Sequence, residues 1–508
     1  MTKSEGRPLA PLLPALGAQL RWRGNPQIDL RSLSYDSRRV EAGDLFIALP
    51  GLHTDGHRFI EQAIRRGAVA VLHQDELESY REGITYLQVP DSRRGMSALA
   101  AALYEYPSRQ LSVIGVTGTD GKSTTVWLIH QLLEALGKPS GFISTVQMRS
   151  EDRVVENPLR QSTPEAPEIQ RLLRRMIDGG NRYAVIEATS HGLSARTGRL
   201  ADVEFTAGVC TNISHEHLEF HGSFERYRSD KANLFRALPE HGVGVVNLND
   251  ESHGYLADLA LSPVFRYGLG KPQADLWAEV GQSDLTGSHV ILHHTGQELS
   301  SRLNLPGSYN VENLLAAALT VLKLTSLRLA DLAEAIPKLR GVPGRMETID
   351  RGQPFRVIVD YAHTPQSFAE LFPLVRKHSE GRLIAVFGSA GERDQAKRPL
   401  QGELATRFCD IVILADEDPR DEEPYKILEQ IAAGCLREDP GCRQGESLLL
   451  IPDRREAICR AFSLARKADT VLLLGKGHER SIIYADGPIP WLEAEVAQEI
   501  LEQIGWRQ

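Results

Sequence analysis

The stretch "VIGVTGTDGKSTTVWLIHQLL", residues 113–133, decides the fold because its character changes twice. An apolar, β-branched run gives way to a loop with Gly118 and Gly121, after which apolar residues recur at helical spacing. The order strand, glycine loop, helix is typical of a phosphate-binding loop, since free backbone amides and the helix dipole favour an anion. Val116 stands where the longer G-x-x-x-x-G-K-[ST] motif has its first glycine, so we interpret Val116 as the last residue of the strand.

Two side chains at the start of the helix add to this interpretation. Lys122 supplies a positive charge, and the hydroxyl of Ser123 is a magnesium ligand in loops of this kind. A bare GxxGK[ST] is also compatible with an ordinary turn. Because a strand precedes the loop and an amphipathic helix follows it, the sequence predicts nucleotide binding.

Length and composition limit the number of domains, the class of partner and the cellular compartment. A chain of 508 residues predicts about three domains. The net charge of −9 argues against general nucleic-acid binding, which needs a basic face. The five cysteines are odd in number and lack CxxC spacing, so they indicate neither a disulfide framework nor a zinc site, and they fit a reducing cytoplasm. No apolar run approaches the ~18 residues of a membrane span.

The N-terminal segment "KSEGRPLAPLLPALGAQL" places basic residues before an apolar run, as a signal peptide does. Its three prolines and the lack of a small-x-small cleavage site favour a surface segment instead. Farther along, apolar runs alternate with helical periodicities to the end of the chain, which predicts an α/β protein. Two joints divide it into blocks 1–107, 108–338 and 339–508: "YEYPSRQ" before Leu111, where an alanine-rich helix ends at Pro107, and a proline- and glycine-rich stretch around 337–347.

Five apolar runs end directly in polar or charged residues. They are "AVIEATSHG", "VIVDYAHTP", "LIAVFGSAGERD", "IVILADEDPRDEEP" and "TVLLLGKGHER". Loops are polar in general, which is the simpler explanation for any single case. Because ligands bind beyond the carboxyl ends of strands in doubly wound sheets, five such ends together predict that the chemistry lies there.

Within these segments, Glu187 ends a buried run, where its carboxylate suits either a magnesium ion or a helix cap or ion pair. The segment "TNISHEHLEFHG" is rich in histidine and glutamate. Zinc is the first interpretation, but HExxH is absent because Glu219 is the fourth residue after His215. The cluster therefore indicates a polar site for magnesium or phosphate more than a zinc site.

Lys231 lies on an apolar helical stripe formed by Phe224, Tyr227, Leu234 and Phe235. Lysine is almost never fully buried unless it is paired. One explanation is a lysine whose stem covers the core while its ammonium reaches water.

In the third block, Arg393, Arg420 and Glu479 are candidates for binding a small zwitterion, because arginine suits carboxylates and a carboxylate suits an ammonium. Each is equally compatible with a surface ion pair.

Taken in order, these segments resemble the Mur ligases over nearly the whole chain. "GTDGKSTT" resembles the family's GTxGK[ST]T loop, and "TNISHEHLEFHG" is similar to its Asn-x-x-x-Asp-His-x-Asp signature, with glutamates at 216 and 219. "GSYNVENLLAA" and "GRME" resemble the segments that contact adenine and phosphate. The resemblance implies three domains: an N-terminal α/β UDP-binding domain, a central mononucleotide-binding, P-loop-like ATPase domain, and a C-terminal Rossmann-like domain.

The resemblance also implies roles for single residues in the ATP site. The catalytic residues would be Lys122, Glu187, His217 and Lys231. ATP would be bound by Thr117, Gly118, Thr119, Asp120, Gly121, Lys122, Ser123, Thr124, Asn310, Arg345 and Asp360. One Mg²⁺ would be held by Ser123 and Glu187, and a second by His217 and Lys231, the latter as a carbamate, which a buried amine can form because its ammonium form is disfavoured. Asp120 stands where asparagine is commoner in the family.

Two further sites are implied in the same way. The UDP-peptide would be bound by Ser37, His53, Thr54, Asp55, Ser162, Thr163, Thr189 and Arg196. Arg199 is the alternative to Arg196, and Thr189 stands where serine is more usual. The amino acid would be bound by Arg393, Glu417, Asp418, Pro419, Arg420, Gly475 and Glu479.

The N-terminal signature "SYDSRRVEAGDLFIALPGLHTDGHRFI" resembles that of members which add the third peptide residue. The expected activity is transfer of the ATP γ-phosphoryl group to the D-Glu of UDP-MurNAc-L-Ala-D-Glu, followed by attack of a diamino acid on the acyl phosphate. We expect a cytoplasmic monomer. Asp418 replaces the asparagine of an Asp-Asn-Pro-Arg motif and favours lysine or ornithine, whereas Arg420 favours diaminopimelate, so both remain open.

Alternative activities are another ligase of the superfamily, such as a different Mur step or a folylpolyglutamate synthetase, and a P-loop ATPase or small-molecule kinase. The long UDP-type N-terminal block and the third block argue against the other ligases, whereas dependence of phosphate release on the UDP-dipeptide and a diamino acid separates a ligase from an ATPase or kinase.

Overall fold

The computed structural model of the protein describes residues 6–51, 54–159, 161–214 and 218–506. The chain divides into two compact units. The first comprises Met1–Val280, Val290–Arg302 and Ser308–Leu339, and the second Gly281–His289, Leu303–Gly307 and Arg340–Gln508. Separate sheets form in the N-terminal, central and C-terminal parts, and each packs with helices, so the predicted α/β class is confirmed.

The N-terminal part is built on a five-stranded sheet in the order β2-β7-β6-β5-β4, in which β4 to β7 are parallel and β2 is antiparallel at the edge. The strands of the N-terminal part, of which β1 and β3 form a separate two-stranded sheet, are β1 Arg7–Pro8, β2 Arg21–Arg23, β3 Asp29–Leu30, β4 Leu33–Ser34, β5 Leu45–Ile47, β6 Ala70–His73 and β7 Thr85–Gln88. Its α-helices are α1 Ile60–Arg65 and α2 Ser92–Leu103, and 3₁₀ turns lie at Ala10–Leu16, Gly56–Phe59 and Pro107–Arg109.

The central part carries an eleven-stranded sheet in the order β11-β10-β9-β12-β8-β13-β14-β15-β16-β17-β18. The strands are β8 Ser112–Thr117, β9 Ser140–Ile143, β10 Gln147–Arg149, β11 Val155–Glu156, β12 Tyr183–Glu187, β13 Ala207–Cys210, β14 Val243–Asn247, β15 Val264–Leu269, β16 Leu276–Asp284, β17 Gly287–His294 and β18 Gln297–Leu303. The helices are α3 Lys122–Ala135, α4 Ala166–Asp178, α5 Ser190–Leu193, α6 Leu218–His221, α7 Phe224–Arg236, α8 His253–Leu259 and α9 Ser308–Leu324, followed by 3₁₀ turns at Leu329–Leu332 and Ile336–Lys338.

Strand β8 positions the phosphate-binding loop, because it lies between β12 and β13 and is parallel to both. The loop that follows β8 therefore meets the carboxyl ends of its two neighbours. The strand ends at Thr117, so the prediction that Val116 is its last residue is wrong by one position. The extra residue still pairs in the sheet, opposite Cys210.

The C-terminal part has a six-stranded sheet in the order β19-β20-β24-β21-β22-β23, parallel except for β19. Its strands are β19 Glu347–Ile349, β20 Arg356–Asp360, β21 Leu383–Phe387, β22 Ile411–Leu414, β23 Leu448–Leu450, β24 Thr470–Leu474, and the hairpin β25 Ser481–Tyr484 with β26 Gly487–Pro490. Its helices are α10 Pro365–Lys377, α11 Lys397–Phe408, α12 Pro424–Glu438, α13 Arg454–Leu464 and α14 Glu493–Gln503.

The five polar segments singled out from the sequence follow β12, β20, β21, β22 and β24, so they lie at carboxyl ends of parallel strands as predicted. All five cysteines are free. Among the helices that the structure describes, none combines the length and the apolar character that crossing a membrane requires.

Candidate active site

The loop after β8 depends on two glycines in the left-handed region. Gly118 has φ +145° and Gly121 has φ +80°. A Cβ on Gly118 would lie 1.8 Å from Oγ1 of Thr211, and one on Gly121 would lie 2.3 Å from Oδ1 of Asn313. Side chains at both positions are therefore excluded by backbone conformation and by space.

Residues after β13 hold the loop in place. The hydroxyl of Thr211 donates to the carbonyl oxygen of Asp120 (2.6 Å), while the Asp120 amide donates to Oδ1 of Asn212 (2.9 Å). The Thr119 amide donates to the carbonyl oxygen of Asn212 (2.8 Å). The loop therefore uses the backbone of Asp120, whose side chain is exposed, so aspartate fits there as well as asparagine.

Helix α3 begins at Lys122 and points its N-terminus at the loop. The Lys122 ammonium donates to the carbonyl oxygen of Thr119 (2.6 Å), which keeps its charge beside the loop. Thr124 is buried at 8% exposure, and Thr117 Oγ1 is buried without a hydrogen-bond partner among the described residues. Asn310 is also buried, and its Oδ1 accepts from Nδ2 of Asn313 (3.3 Å).

The carboxylate of Glu187 is the centre of a dense polar cluster. Its Oε2 accepts from the Ser123 hydroxyl (2.9 Å), the Ser144 hydroxyl (3.0 Å) and the Thr145 amide (3.0 Å), and its Oε1 accepts from the Thr145 hydroxyl (3.0 Å). Glu187 is 2% exposed, and no lysine or arginine among the described residues pairs with it. This excludes the ion-pair explanation for Glu187 within the described part of the chain.

The predicted UDP-peptide residues of the central part lie beside Glu187. The Thr163 hydroxyl donates to the carbonyl oxygen of Glu187 (2.6 Å) and lies 2.9 Å from Oγ1 of Thr189. The Thr145 hydroxyl, whose proton is donated to Glu187, accepts from the Ser162 hydroxyl (2.7 Å). Ser162, Thr163 and Thr189, which the resemblance groups in one site, therefore lie close together next to the phosphate-binding loop.

The two candidate arginines of the UDP-peptide site, Arg196 and Arg199, differ in their contacts and exposure. Arg199 donates to the carbonyl oxygen of Thr163 (2.9 Å) and pairs with Glu165 (2.8 Å). Arg196 is exposed, donates to the carbonyl oxygen of Phe220 (2.9 Å) and lies over that ring. Arg196 is thus the more exposed of the two arginines.

Lys231 is buried in α7, at 1% exposure, so its ammonium does not reach water and the stem-covering explanation is wrong. Its Nζ donates to the carbonyl oxygen of Gly118 and lies 4.4 Å from the centre of the Tyr227 ring. The Tyr227 hydroxyl in turn lies 3.0 Å from Oγ1 of Thr119. The structure thus places Lys231 directly beneath the phosphate-binding loop, while His217 lies outside the described residues.

The donor set at Glu187 fits magnesium. The Ser123 hydroxyl and the Glu187 carboxylate offer oxygen ligands 2.9 Å apart, in a cluster without a neutralising cation among the described residues. Mg²⁺ prefers oxygen ligands and binds through one or two protein groups plus phosphates. The arrangement can therefore hold a magnesium ion against a phosphate bound at the loop.

The predicted N-terminal residues lie in loops of the N-terminal part, after β4 and before the 3₁₀ turn Gly56–Phe59. The Ser37 hydroxyl donates to Oε1 of Gln62 (2.9 Å), and Thr54 is exposed. The Asp55 carboxylate accepts from the amide of His57 (3.0 Å) and lies 2.6 Å from its Nδ1, contacts that lower the pKa of Asp55. His53 lies outside the described residues.

In the second unit, Arg345 lies near both Asp360 and Tyr361. The Asp360 carboxylate accepts from the amides of Met346 (2.7 Å) and Ala362 (2.7 Å), and burial raises its pKa while Arg345 opposes the rise. The Arg345 guanidinium lies 5.2 Å from the centre of the Tyr361 ring. Burial lowers the pKa of His478 to about 3, and the nearby positive charges of Arg345 and Lys476 act in the same direction.

The predicted amino-acid site contains a cation that the sequence interpretation did not select. Lys476 is fully buried, and its ammonium donates to Oδ1 of Asp418 (2.7 Å) and to Oε2 of Glu479 (2.5 Å). Asp418 also accepts from the amide of Ile483 (3.0 Å). The charge of Asp418 is therefore already partly compensated, which weakens the sequence-based argument that it alone favours an ammonium-ended substrate.

The other predicted residues of this site differ in how close they lie to the Asp418–Lys476–Glu479 group. Glu417 packs against Gly475, where an added Cβ would lie 3.0 Å from Oε2. Arg420 has φ +56°, and its Nε is buried without a hydrogen-bond partner among the described residues. Pro419 is buried and Arg393 is exposed. The structure thus brings Glu417, Asp418, Gly475 and Glu479 together, with Arg393 at the surface.

The sequence interpretation missed several contacts that the structure shows. Ser144 and Thr145 follow the buried strand β9, so the same pattern of an apolar run ending in polar residues would have found them. Asn313 lies in the segment "GSYNVENLLAA", but the sequence gives no reason to prefer it to Asn310. Only the structure shows that Asn313 lies beside Gly121. Arg454 has no local signal, because its partners are distant in sequence: it pairs with Glu493 (2.7 Å) in the core.

Known protein families match most of the chain. Models described as Mur ligase family, catalytic domain; Mur ligase middle domain; and Mur ligase, glutamate ligase domain match residues 29–104, 116–321 and 344–477. A UDP-N-acetylmuramyl-tripeptide synthetase of Roseiflexus sp. (strain RS-1) is 49% identical over 493 residues, covering 95% of this chain and 96% of the relative. One of Treponema denticola is 46% identical over 508 residues, covering 94% and 95%.

Among solved structures, a UDP-N-acetylmuramoyl-L-alanyl-D-glutamate--2,6-diaminopimelate ligase superimposes with a TM-score of 0.63 at 30% identity, covering 94% of this chain and 96% of that one. The similarity extends over all three parts of the chain, as the resemblance of the motifs implied. The chain belongs to the Mur ligase family, whose members are ATP-dependent ligases that form amide bonds.

Proposed function

We propose that this protein adds a diamino acid to the D-Glu of UDP-MurNAc-L-Ala-D-Glu, using ATP and Mg²⁺, in cytoplasmic peptidoglycan precursor synthesis. The observation that carries the proposal is the meeting of the phosphate-binding loop with Glu187 and the Thr163–Thr189 pair. Relatives named tripeptide synthetases support the step. In this proposal, residues 1–107 bind the UDP-sugar, 108–338 bind ATP, and 339–508 bind the amino acid.

The chemistry proceeds in two displacements. A γ-carboxylate oxygen of D-Glu attacks the γ-phosphorus of ATP, the bond to the bridging oxygen breaks, and ADP leaves with that electron pair. The α-amine of the diamino acid then attacks the carbonyl carbon of the acyl phosphate. Inorganic phosphate leaves, the amine proton passes to water, and the amide remains.

The loop supplies most of what the first displacement needs. The backbone amides around Gly121 and the N-terminus of α3 bind phosphate oxygens, and Lys122 adds a positive charge beside them. Ser123 and Glu187 would hold a magnesium ion, which neutralises charge that develops during phosphoryl transfer. Because these groups are fixed before the reaction, little reorganisation is needed as the charge moves.

Lys231 has a separate proposed role. As a carbamate it would become an anion, and with His217 it would supply ligands to a second magnesium ion. The position of its Nζ supports this, because it lies beside the carbonyl oxygen of Gly118 in the phosphate-binding loop. Burial at 1% exposure favours the neutral amine that reacts with CO₂.

Ser162, Thr163, Thr189 and Arg196 would bind the peptide end of the UDP-substrate near Glu187, which places the γ-carboxylate at the loop. The protein would act as a monomer. At the UDP end, Ser37, His53, Thr54 and Asp55 complete the proposed site.

The test is phosphate release with each substrate omitted in turn. With ATP, Mg²⁺, UDP-MurNAc-L-Ala-D-Glu and a mixture of meso-diaminopimelate, L-lysine and L-ornithine, phosphate should appear together with a UDP-linked tripeptide, identified by mass. Omission of the UDP-dipeptide or of all three diamino acids should stop steady-state release. Phosphate release that continues without either one would instead indicate a simple ATPase, and phosphorylation of an added small molecule would indicate a kinase.

A further inference from the structure

His221 is a buried histidine of the segment "TNISHEHLEFHG" to which the proposed chemistry gives no role. It ends α6 and is 3% exposed. Its Nδ1 lies 2.8 Å from Oδ2 of Asp230 in α7, and its Nε2 lies 3.0 Å from Oγ of Ser190, the first residue of α5. One imidazole therefore joins three helices.

The carboxylate of Asp230 determines which ring nitrogen of His221 carries the proton. An ionised carboxylate can only accept a hydrogen bond, so Nδ1 donates to Asp230. In the neutral ring, Nε2 is then the acceptor for the Ser190 hydroxyl. Asp230 thus orients the imidazole, and the imidazole holds Ser190.

A serine, a histidine and an aspartate in this order also form the hydrolytic triad. Here Ser190 is 2% exposed, which leaves too little surface for a substrate carbonyl to approach its oxygen. A nucleophile needs that approach. The arrangement is therefore suited to holding α5 in place, and not to attack by the serine.

Helix α5 lies in the segment that runs from Thr189 to Arg196, and both of these residues belong to the proposed UDP-peptide site. Thr189 directly precedes Ser190, which His221 holds. At the other end, Arg196 donates to the carbonyl oxygen of Phe220 (2.9 Å), the residue before His221. Two neighbouring residues of α6 therefore fix both ends of this segment.

We propose that His221, oriented by Asp230, is a positioning residue for the peptide end of the UDP-substrate. It holds Ser190, and through Ser190 it keeps Thr189 and Arg196 in the geometry that binds D-Glu. This inference rests on the proposed function.

Helix α7 links this network to the phosphate-binding loop. Asp230 directly precedes Lys231, whose ammonium donates to the carbonyl oxygen of Gly118 in that loop. The helix that carries the lysine beneath the loop thus also anchors, through His221, the segment proposed to bind D-Glu. A shift of that segment would move the γ-carboxylate away from the phosphate that it attacks.

Another buried serine–histidine contact in the same unit offers a matched control. Oγ of Ser140 lies 2.8 Å from Nδ1 of His130, and both residues are buried. Ser140 is at the amino end of β9, whereas Ser144, which contacts Glu187, follows the carboxyl end. Ser140→Ala therefore removes the same kind of bond away from the proposed D-Glu site.

The experiment measures how much D-Glu adds to binding. By calorimetry, with ADP and Mg²⁺ present so that no turnover occurs, Kd for UDP-MurNAc-L-Ala is divided by Kd for UDP-MurNAc-L-Ala-D-Glu. In wild type this ratio should be at least about ten, since one hydrogen bond to a charged group contributes that much.

Three variants should lower the ratio about three- to tenfold, the effect of one lost hydrogen bond. They are Ser190→Ala, His221→Leu and Asp230→Ala. Ser140→Ala should lower thermal stability as Ser190→Ala does, but it should change the ratio less than about threefold. A merely structural role of His221 would lower stability in all four variants and leave the ratio unchanged.

Thermal unfolding identifies variants that do not fold. If His221→Leu or Asp230→Ala is unfolded, Ser190→Ala decides, since it removes only one buried oxygen. A folded Ser190→Ala that changes the ratio less than about threefold, an equal loss in Ser140→Ala, or a wild-type ratio near one would overturn the inference and leave the ligase function intact. A wild type that binds neither ligand and releases no phosphate with the full set of substrates would overturn the proposed function, and the inference with it.

Discussion

Replacing Glu187 with glutamine separates its catalytic role from its role in folding. The glutamine oxygen can keep the three hydrogen bonds that Oε2 accepts, and the Thr145 hydroxyl can turn to accept from the new amide. Exchanging charged for neutral hydrogen bonds should cost about 1–3 kcal/mol of stability in all. Catalysis should suffer more: loss of the carboxylate should lower kcat about 10²–10³-fold, or about 3–4 kcal/mol of transition-state stabilisation.

The assay is steady-state phosphate release at saturating substrates over a range of Mg²⁺ concentrations, alongside thermal unfolding. Glu204→Gln is a matched control: Glu204 pairs with Arg109 (2.7 Å) on the surface, so the same substitution should leave kcat and stability nearly unchanged. If Glu187→Gln turned over within about threefold of wild type, Glu187 would have no part in phosphoryl transfer.

Three other perturbations have defined outcomes. Lys231→Ala should abolish ligation, with partial recovery on adding short carboxylates and lowered activity of wild type in CO₂-depleted buffer; near-normal turnover of the variant would refute the carbamate. Arg454→Met should cost the second unit about 3–5 kcal/mol in denaturant unfolding, because Glu493 keeps an uncompensated buried charge; a double variant with Glu493→Gln that recovers no stability would contradict this. Burial raises the pKa of Asp416 from 3.8 to about 6, so its stabilising contribution is present below pH 3.8 and is lost as pH rises through about 6. Asp416→Asn should flatten the unfolding profile over that range, and an unchanged slope would be the contrary result.

The fold was predictable because its signals are local. The strand–loop–helix order of residues 113–133 and the five polar strand ends depend on periodicity and glycine placement, which short segments display. The end of β8 was predicted one residue early, since Thr117 is polar and yet pairs in the sheet.

The site was predictable only in part. Motifs predict roles for Ser123, Glu187 and Lys231, but a motif does not show which partners a side chain has. Lys476 illustrates the difference: it lies in a quoted segment, yet its importance comes from Asp418, 58 positions away. Arg454, which donates to the carbonyl oxygens of Asp416 (3.0 Å) and Leu474 (2.7 Å), likewise fixes two strand ends through contacts that only folding creates.

The most direct test of the central claim, ligation through an acyl phosphate, follows one oxygen atom. UDP-MurNAc-L-Ala-D-Glu labelled with ¹⁸O in the D-Glu γ-carboxylate is incubated with the enzyme, ATP, Mg²⁺ and diamino acid, and the released phosphate is analysed by mass. Because the acyl phosphate oxygen comes from the carboxylate, each turnover should place one ¹⁸O in phosphate and leave the other in the amide carbonyl. Unlabelled phosphate accompanying tripeptide formation would contradict the account.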